Sequence, residues 1–247
     1  MPESKEKSTT KRIDLLLTRP ELESERLANL LDKKKFRIKI SPLIEINSID
    51  YKFEDTVQYD LIIFTSKNGI NNFQYLKKDD KVLVIGDGTN ELAKKKGISN
   101  IKNVKGNSKD LKNRIRKFIK KGARILHPTS IDLNNELKIF FKDLKCSYTS
   151  LGCYNSNMCN SNPEVFENFF NSCKDGLITL FSRRTALSLK NEIFKMNLSE
   201  NCKYKRVLVL SSSIEHELND LNFKEVHKTN EPNEESMIKL IENLGYL

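Results

Sequence analysis

The sequence predicts an α/β protein made of two similar, doubly wound parallel-sheet domains. Short apolar runs alternate along the chain with helical patterns, which is typical of strand–helix–strand units. In addition, three apolar segments recur in the same order, each ending at a small polar turn. The pairs are 15–20 (LLLTRP) with 125–130 (ILHPTS), 59–66 (YDLIIFTS) with 175–182 (DGLITLFS), and 81–89 (KVLVIGDGT) with 206–214 (RVLVLSSSI). Two such units imply a cleft between them, where a ligand is expected.

The strands are predicted from continuous apolar runs of the kind that parallel sheets bury on both faces. The predicted strands are 13–17, 37–40, 61–64, 82–85, 124–127, 177–181 and 206–210.

The helices are predicted from apolar residues that recur on one helical face, such as Leu27, Leu30 and Leu31 in the first helix. The predicted helices are 21–34, 67–76, 89–96, 108–120, 131–144, 163–172, 183–195, 214–221 and 233–244.

Two stretches interrupt the alternation of strand and helix. Residues 37–47 give two strand-like pieces around Pro42, and residues 147–156 are extended without a helix directly after them. Each stretch follows one copy of the first repeated segment (15–20 or 125–130) and the helix predicted after it. We therefore expect the two stretches to form interdomain linkers.

Composition describes an ordinary soluble protein, with 38% hydrophobic and 31% charged residues among 247. The chain has no apolar run near the roughly 20 residues of a membrane span. Residues 1–9 lack the apolar core of a secretory signal and are expected to be a disordered tail. The net charge of +10 indicates either solvated lysines at helix ends or a binding surface for nucleic acid, a membrane or a polyanionic small molecule. The basic stretches lack the interleaved aromatic residues of a nucleic-acid patch.

The cysteines and histidines do not predict a metal site. The five cysteines form no Cys-x-x-Cys pair, which favours free thiols in a reducing, cytoplasmic setting. The three histidines are scattered, so no zinc-ligand spacing is present.

The candidate chemistry lies at the strand-to-helix turns. Ligands gather at the carboxyl ends of parallel strands, where helix amides attract anions. The turns that carry hydroxyl or glycine residues are Thr65-Ser66, Gly86-Asp87-Gly88-Thr89, Ser182 and Ser211-Ser212-Ser213. Each turn alone reads equally as a plain helix cap, whereas their recurrence in both copies favours a ligand site.

Established catalytic and phosphate-binding motifs are missing. Gly86-Asp87-Gly88 lacks the third glycine of a dinucleotide fingerprint, and no Gly-x-Ser-x-Gly nucleophile elbow occurs. His127 ends a strand and either faces the cleft or is a structural histidine. An enzyme of this kind would work mainly by holding its substrate in shape.

Several segments recur in an order and spacing that are informative together, although none is a specific motif alone. They are 16–20 (LLTRP), 41–46 (SPLIEI), 59–70 (YDLIIFTSKNGI), 84–89 (VIGDGT) with Gly97, and 154–156 (YNS). In these segments the chain resembles the uroporphyrinogen-III synthase family over nearly its whole length, from about Leu15 to Leu244.

The fold of this family implies two α/β domains joined by a two-stranded antiparallel linker. That places residues 10–35 and 157–247 in a discontinuous first domain and residues 47–145 in the second. Residues 36–46 and 146–156 would form the linker.

The resemblance implies cyclisation of hydroxymethylbilane, a linear tetrapyrrole with eight carboxylates. The terminal hydroxyl leaves, an azafulvene forms, and the last pyrrole ring inverts through a spiro intermediate before closure to uroporphyrinogen III. By matching position, Tyr154 would assist departure of the hydroxyl; alternatively it only packs at a domain junction. The implied substrate-binding residues are Arg19, Thr65, Ser66, Gly86, Thr89, Ser182, Ser212 and Ser213.

The last of these turns departs from the family pattern. The family usually has a glycine and a threonine where this chain has Ser211 and Ile214, so Ser212 and Ser213 are named as substitutes. Arg19 either binds a carboxylate or only caps its loop.

The resemblance also implies a cytoplasmic monomer without a metal or an organic cofactor. Its partner would be hydroxymethylbilane, with transient contact to hydroxymethylbilane synthase and none to nucleic acid or membrane. The alternative function is a non-catalytic module that binds anions or tetrapyrroles on the same scaffold.

Overall fold

The structure is a computed structural model that describes residues 12–104, 108–116, 119–132 and 136–245. The described residues up to Glu45 and from Asn157 onward form one compact unit, called unit 1, and Ile46–Ser156 forms unit 2. The predicted tail at residues 1–9 lies outside the described residues.

The described part of the chain alternates strands and α-helices. The strands are β1 (Ile13–Leu17), β2 (Phe36–Ile40), β3 (Ile44–Ser48), β4 (Leu61–Phe64), β5 (Val82–Ile85), β6 (Ile101–Val104), β7 (Arg124–Ser130), β8 (Ser147–Met158), β9 (Gly176–Leu180), β10 (Lys205–Val209) and β11 (Glu225–Lys228). The helices are α1 (Glu21–Ala28), α2 (Lys67–Asn72), α3 (Asp87–Lys95), α4 (Ser108–Ile115), α5 (Glu136–Asp143), α6 (Pro163–Phe170), α7 (Arg183–Lys195), α8 (Ser212–Glu215) and α9 (Glu234–Leu244).

The two sheets have matching strand orders, as the internal repeat predicts. One sheet runs β2-β1-β9-β10-β11, and the other runs β8-β7-β4-β5-β6 with β3 added at its edge. The paired repeats β1 with β7, β9 with β4, and β10 with β5 therefore hold equivalent positions. These neighbouring strands are parallel throughout. The predicted α/β class with two parallel sheets is confirmed.

Both sheets are buried on two faces, which explains the continuous apolar runs. In β1, Leu16 packs into one apolar cluster while Leu15 and Leu17 pack into another. In β4, Ile63 and Phe64 likewise lie in different clusters. Alternate side chains of a strand point to opposite faces of the sheet. Each apolar run therefore packs against the helices on both faces.

Part of the expected linker is instead a strand of unit 1. Residues 36–46 were expected to leave the first domain, but Phe36–Ile40 pairs with β1 over its whole length. Phe36 is 1% exposed and packs with Leu27 and Leu31, which holds this segment in the sheet. The domain boundaries of the sequence analysis otherwise stay a prediction.

Several elements differ in length from the sequence prediction. The helix expected over 21–34 ends at Ala28, because Asp32 binds the N–H groups of Lys34, Lys35 and Phe36 and so folds a turn. The helix expected over 214–221 is four residues of α8 followed by a 3₁₀ turn, His216–Leu218. The helices expected over 108–120 and 131–144 contain residues 117–118 and 133–135, which lie outside the described residues.

Two edge strands, β6 and β11, were not predicted. Each has four residues, most of them at least partly exposed and several of them polar, so neither shows a continuous apolar run.

All five cysteines are free thiols, and Cys173 is exposed. Among the residues described, we find no helix that combines the length and apolar character of a membrane span.

Candidate active site

In unit 2, the carboxyl ends of β4, β5 and β7 lie at one edge of the sheet because these strands are parallel. Thr65 and Ser66 follow β4, Gly86 follows β5, and Ser130 ends β7. The sequence-predicted hydroxyl and glycine residues of this unit therefore lie along a common edge, which we call the unit 2 rim.

Ser66 caps helix α2 and also meets the predicted catalytic tyrosine. Its backbone is extended, at φ −152° and ψ 160°, and its Oγ accepts the N–H of Gly69 at 3.4 Å. The same Oγ lies 3.0 Å from Tyr154 Oη, within hydrogen-bond distance. Serine is favoured here because its oxygen can satisfy an amide at the open helix end. The structure thus brings Ser66 and Tyr154 together.

A β-bulge sets the direction of the Tyr154 side chain. Thr129 pairs with Gly152, but Ser130 pairs with Tyr154, so Cys153 is an extra residue in β8. An extra residue shifts the following side chains to the opposite face of the strand. The bulged Cys153 is fully buried, and its thiol lies 3.6 Å from the carbonyl oxygen of Thr129. The bulge therefore aims Tyr154 at the rim.

Tyr154 is protonated at neutral pH. Burial raises the pKa of its phenol above 10.0, and its side chain is only 7% exposed. Hydrogen bonding to Ser66, to the backbone of Ser130 and to Thr129 opposes this rise without cancelling it. Phenols with these surroundings can donate a proton and have polar groups ready to stabilise the resulting oxyanion.

Behind the rim, Thr65 belongs to a partly buried hydrogen-bonded chain. Its Oγ1 lies 3.1 Å from His127 Nε2, and His127 Nδ1 lies 2.7 Å from Tyr148 Oη. The imidazole is fully buried, and desolvation lowers the pKa of His127 to about 4. His127 is therefore neutral at pH 7, with one ring nitrogen donating and the other accepting. Of its two sequence readings, the buried structural histidine fits this geometry, and it orients Thr65.

Helix α2 lies close against β7, and Gly69 makes this possible. A Cβ atom at Gly69 would lie 2.6 Å from the carbonyl oxygen of Pro128 and 3.0 Å from Phe64 Cδ1. Because one of these atoms is backbone, no larger residue fits without moving the helix. The glycine therefore fixes the position of the cap residue Ser66 against the strands.

The second turn of the rim begins helix α3. Gly86 precedes the helix with φ +81°, a conformation that favours glycine, and no side chain caps the helix. The first amides of α3 thus have no partner within the helix, while Thr89 is buried in its first turn. The Lys67 side chain extends over this turn, since a Cβ on Gly88 would lie 2.9 Å from its Nζ. The open amides favour an anion here, and the charge of Lys67 offsets that of Asp87 in the same turn.

In unit 1, Ser182 caps helix α7 after β9. Its backbone has φ −152° and ψ 157°, and its Oγ accepts the N–H of Thr185 at 3.1 Å. The Thr185 hydroxyl lies 2.8 Å from the same oxygen. Ser182 therefore caps its helix at the position equivalent to Ser66. Its hydroxyl contacts that of Thr185, whereas the hydroxyl of Ser66 contacts that of Tyr154.

The serines that follow β10 form a short and differently bonded turn. Ser211 precedes α8 without a side-chain cap, and its Oγ lies 2.9 Å from Ser213 Oγ. Ser212 Oγ accepts from Lys228 Nζ at 2.8 Å. The two predicted substitutes thus lie next to each other, and Lys228 adds a cation beside Ser212.

Arg19 is engaged by carboxylates of its own unit. Its guanidinium forms ion pairs with Glu23 and, at 2.7 Å, with Glu234, and it stacks over Phe181 at 4.3 Å from the ring centre. A substrate carboxylate would have to displace these partners. A role for Arg19 in binding remains a prediction.

Sequence reasoning missed three polar residues at these turns: Lys67, Thr129 and Lys228. Lys67 directly follows the cap Ser66, and this adjacency was the available signal. Thr129 and Lys228 gave no signal, because their roles depend on a bulge and on the unpredicted strand β11. Among the described residues, no group of three His, Cys, Asp or Glu side chains could hold a metal ion.

Comparison with known proteins agrees with this architecture. A family model described as uroporphyrinogen-III synthase HemD matches residues 25–239. A search of curated proteins returns no match. Among solved structures, uroporphyrinogen-III synthetase from Helicobacter pylori is similar, with a TM-score of 0.61, 11% identity, and coverage of 95% of this chain and 100% of that chain. A mutant uroporphyrinogen III synthase from the extremely thermophilic bacterium Thermus thermophilus is similar too, with a TM-score of 0.53, 12% identity, and coverage of 95% and 98%. The two structures support the fold, and the family match over most of the sequence shows that this chain belongs to the uroporphyrinogen-III synthase family.

Proposed function

We propose that this chain cyclises hydroxymethylbilane to uroporphyrinogen III in haem biosynthesis, with Tyr154 as the acid that assists loss of water. Membership of the family supports the reaction. The observation that carries the role of Tyr154 is its contact with Ser66 at the unit 2 rim, 3.0 Å between the hydroxyl oxygens.

Tyr154 would donate its phenolic proton to the terminal hydroxyl of the substrate as the C–O bond breaks. The products of this step are water and the protonated azafulvene, which keeps its pyrrole N–H, and the phenolate that remains is stabilised by Ser66 and Thr129. When the last ring has attacked through its substituted carbon and the spiro intermediate has rearranged, closure releases one proton from a ring carbon. That proton returns to Tyr154, so the reaction as a whole loses only water.

The substrate carboxylates would bind at helix starts that carry backbone amides and hydroxyl groups. In unit 2 these are the first turn of α3, after Gly86 and around Thr89, with Thr65 beside it. In unit 1 they are the Ser182 turn of α7 and the serines 212 and 213. Backbone amides suit this task because they hold carboxylates without placing lysines in the interior.

The decisive experiment supplies hydroxymethylbilane and identifies the uroporphyrin isomer after oxidation. The proposal expects isomer III, because ring inversion must outrun the spontaneous closure that gives isomer I. Isomer I alone, at the spontaneous rate, would instead support a non-catalytic tetrapyrrole-binding module.

We also infer that the enzyme works in the cytoplasm as a monomer, without metal or organic cofactor. Transient contact with hydroxymethylbilane synthase would limit exposure of the unstable substrate to water. Activity that survives treatment with a metal chelator and a sedimentation mass of one chain would agree with this.

A further inference from the structure

A cavity of about 530 Å³ opens in unit 2 at the amino ends of the sheet strands. Leu61 and Val82, the first residues of β4 and β5, form part of its wall. The four residues of β5 span about 13 Å, so the cavity lies at the edge of the sheet opposite the rim with Ser66 and Gly86. Substrate sites of α/β sheets lie at the carboxyl ends, so this cavity is separate from the proposed active site.

Four lysines line this cavity: Lys81, Lys102, Lys120 and Lys121. The one carboxylate among the lining residues is Asp60, which leaves a formal charge of +4 − 1 = +3. One Asp60 oxygen accepts the backbone N–H of Arg124 at 2.8 Å. The cavity is thus a local concentration of positive charge.

Three of these lysines have no compensating partner. Within the described ranges, Lys81, Lys120 and Lys121 form no side-chain hydrogen bond or ion pair. Elsewhere many of the described lysines do have one, for example Lys77 with Asp55 and Lys112 with Glu136. Lysines around one cavity repel each other to the extent that their ammonium groups approach, and an anion between them would remove that repulsion.

The backbone holds these lysines in fixed places. The carbonyl of Lys81 accepts from Ile62, and that of Lys120 accepts from Ala123. Lys121 precedes Gly122, whose φ of +83° makes the sharp turn into β7. The positions from which the ammonium groups extend are therefore set before any ligand arrives.

From this arrangement we infer a second binding site, specific for a small polyanion that carries several phosphate groups. The volume falls within the roughly 300–1,000 Å³ range of small-molecule pockets. Lysines act as point charges and bind phosphates without the paired geometry that arginine requires.

Inorganic tripolyphosphate is the probe, titrated into the full chain by calorimetry. We expect one molecule bound per chain. The double variant Lys81→Gln/Lys120→Gln should weaken binding at least about tenfold, since each lost charged hydrogen bond is worth that much or more. The control Lys94→Gln/Lys95→Gln removes the same charge from the end of α3, outside the cavity, and should bind as the parent chain does.

Several outcomes would overturn the site: no binding, several molecules bound per chain, or equal weakening in both double variants. All four lysines are exposed, so folding should survive, and circular dichroism checks this. If the first variant still misfolds, Lys121→Gln alone repeats the test. Citrate that binds as tightly as tripolyphosphate would contradict the preference for phosphate, and a single-stranded oligonucleotide that binds far more tightly through the same lysines would replace the small molecule by nucleic acid.

Discussion

Ser66 and Ser182 cap their helices with nearly identical backbone angles but contact different hydroxyl groups. Ser66 Oγ lies 3.0 Å from Tyr154 Oη in unit 2, whereas Ser182 Oγ lies 2.8 Å from Thr185 Oγ1 in unit 1. The two copies therefore share a cap and differ in its partner. This difference supports the proposal that the acid of the reaction lies in unit 2, and it offers matched variants to test that proposal.

Replacing Tyr154 by phenylalanine should slow uroporphyrinogen III formation about a hundredfold, the lower range for loss of a general acid. The fold should lose only about 1 kcal/mol, because one hydroxyl contact disappears. Steady-state turnover and denaturant unfolding measure the two effects. Tyr51→Phe removes another partly buried hydroxyl of the same unit, one that donates to the carbonyl of Asn72 at the end of α2, and it should leave turnover nearly unchanged. Equal losses in both variants would reduce Tyr154 to a packing residue.

Ser66→Ala should raise the pKa of Tyr154 further, because the hydrogen bond to Ser66 lowers it in the parent chain. Ultraviolet difference titration of the tyrosines reports this shift. Ser182→Ala removes the equivalent cap and should cost a similar ~1 kcal/mol of stability without moving any tyrosine titration. A tyrosine titration that is unchanged in Ser66→Ala would show that the Ser66–Tyr154 contact is absent in solution.

The buried His127 should make the fold less stable in acid. The unfolded chain binds a proton near pH 6.5, but folded His127 does so only near pH 4. Between these values the unfolded state holds more protons, so the free energy of unfolding falls as the pH falls. The total loss is on the order of 2–3 kcal/mol.

Urea unfolding between pH 4 and pH 7 tests this dependence. His127→Asn should have a flatter profile than the parent chain, whereas His216→Asn, at an exposed position, should keep the parent slope. Parallel profiles for the parent and His127→Asn would contradict a neutral, buried imidazole.

Gly86→Ala should impair both stability and substrate binding. At φ +81° an alanine costs about 1–2 kcal/mol, although nothing lies within 4 Å of its Cβ. Relief of this strain would shift the first amides of α3 and raise KM for hydroxymethylbilane. Gly97→Ala has almost the same φ, +83°, at the other end of that helix. Gly97→Ala should lower the stability of the fold and leave KM unchanged. An equal rise of KM in both variants would show that destabilisation of the fold, and not a shift of the α3 amides, weakens substrate binding.

The sequence predicted those structural features that a local pattern of residue types determines. The central strands, the likeness of the two sheets and the caps at Ser66 and Ser182 were predictable, since apolar runs and small hydroxyl residues at turns have local causes. The edge strands β6 and β11 were not predictable, because partly exposed strands carry polar residues that also suit loops.

The site depended more on long-range geometry. The contact between Ser66 and Tyr154 requires the bulge at Cys153, which no local pattern marks. Arg19 looked available for a carboxylate because its partner Glu234 is distant in sequence. The polyanion cavity draws Lys81 and Lys120 from separate loops, so only the folded sheet reveals it.

The pairing of β1 with β9 has a consequence for synthesis on the ribosome. Leu15 lies opposite Leu177, and Thr18 donates to the carbonyl of Thr179 across 161 positions of chain. At about 5–20 residues per second, β1 waits roughly 10–30 s for this neighbour. All of Ile46–Ser156 emerges in that interval. Unit 2 can therefore fold first, while the apolar residues of β1 depend on chaperones or transient collapse until unit 1 is complete.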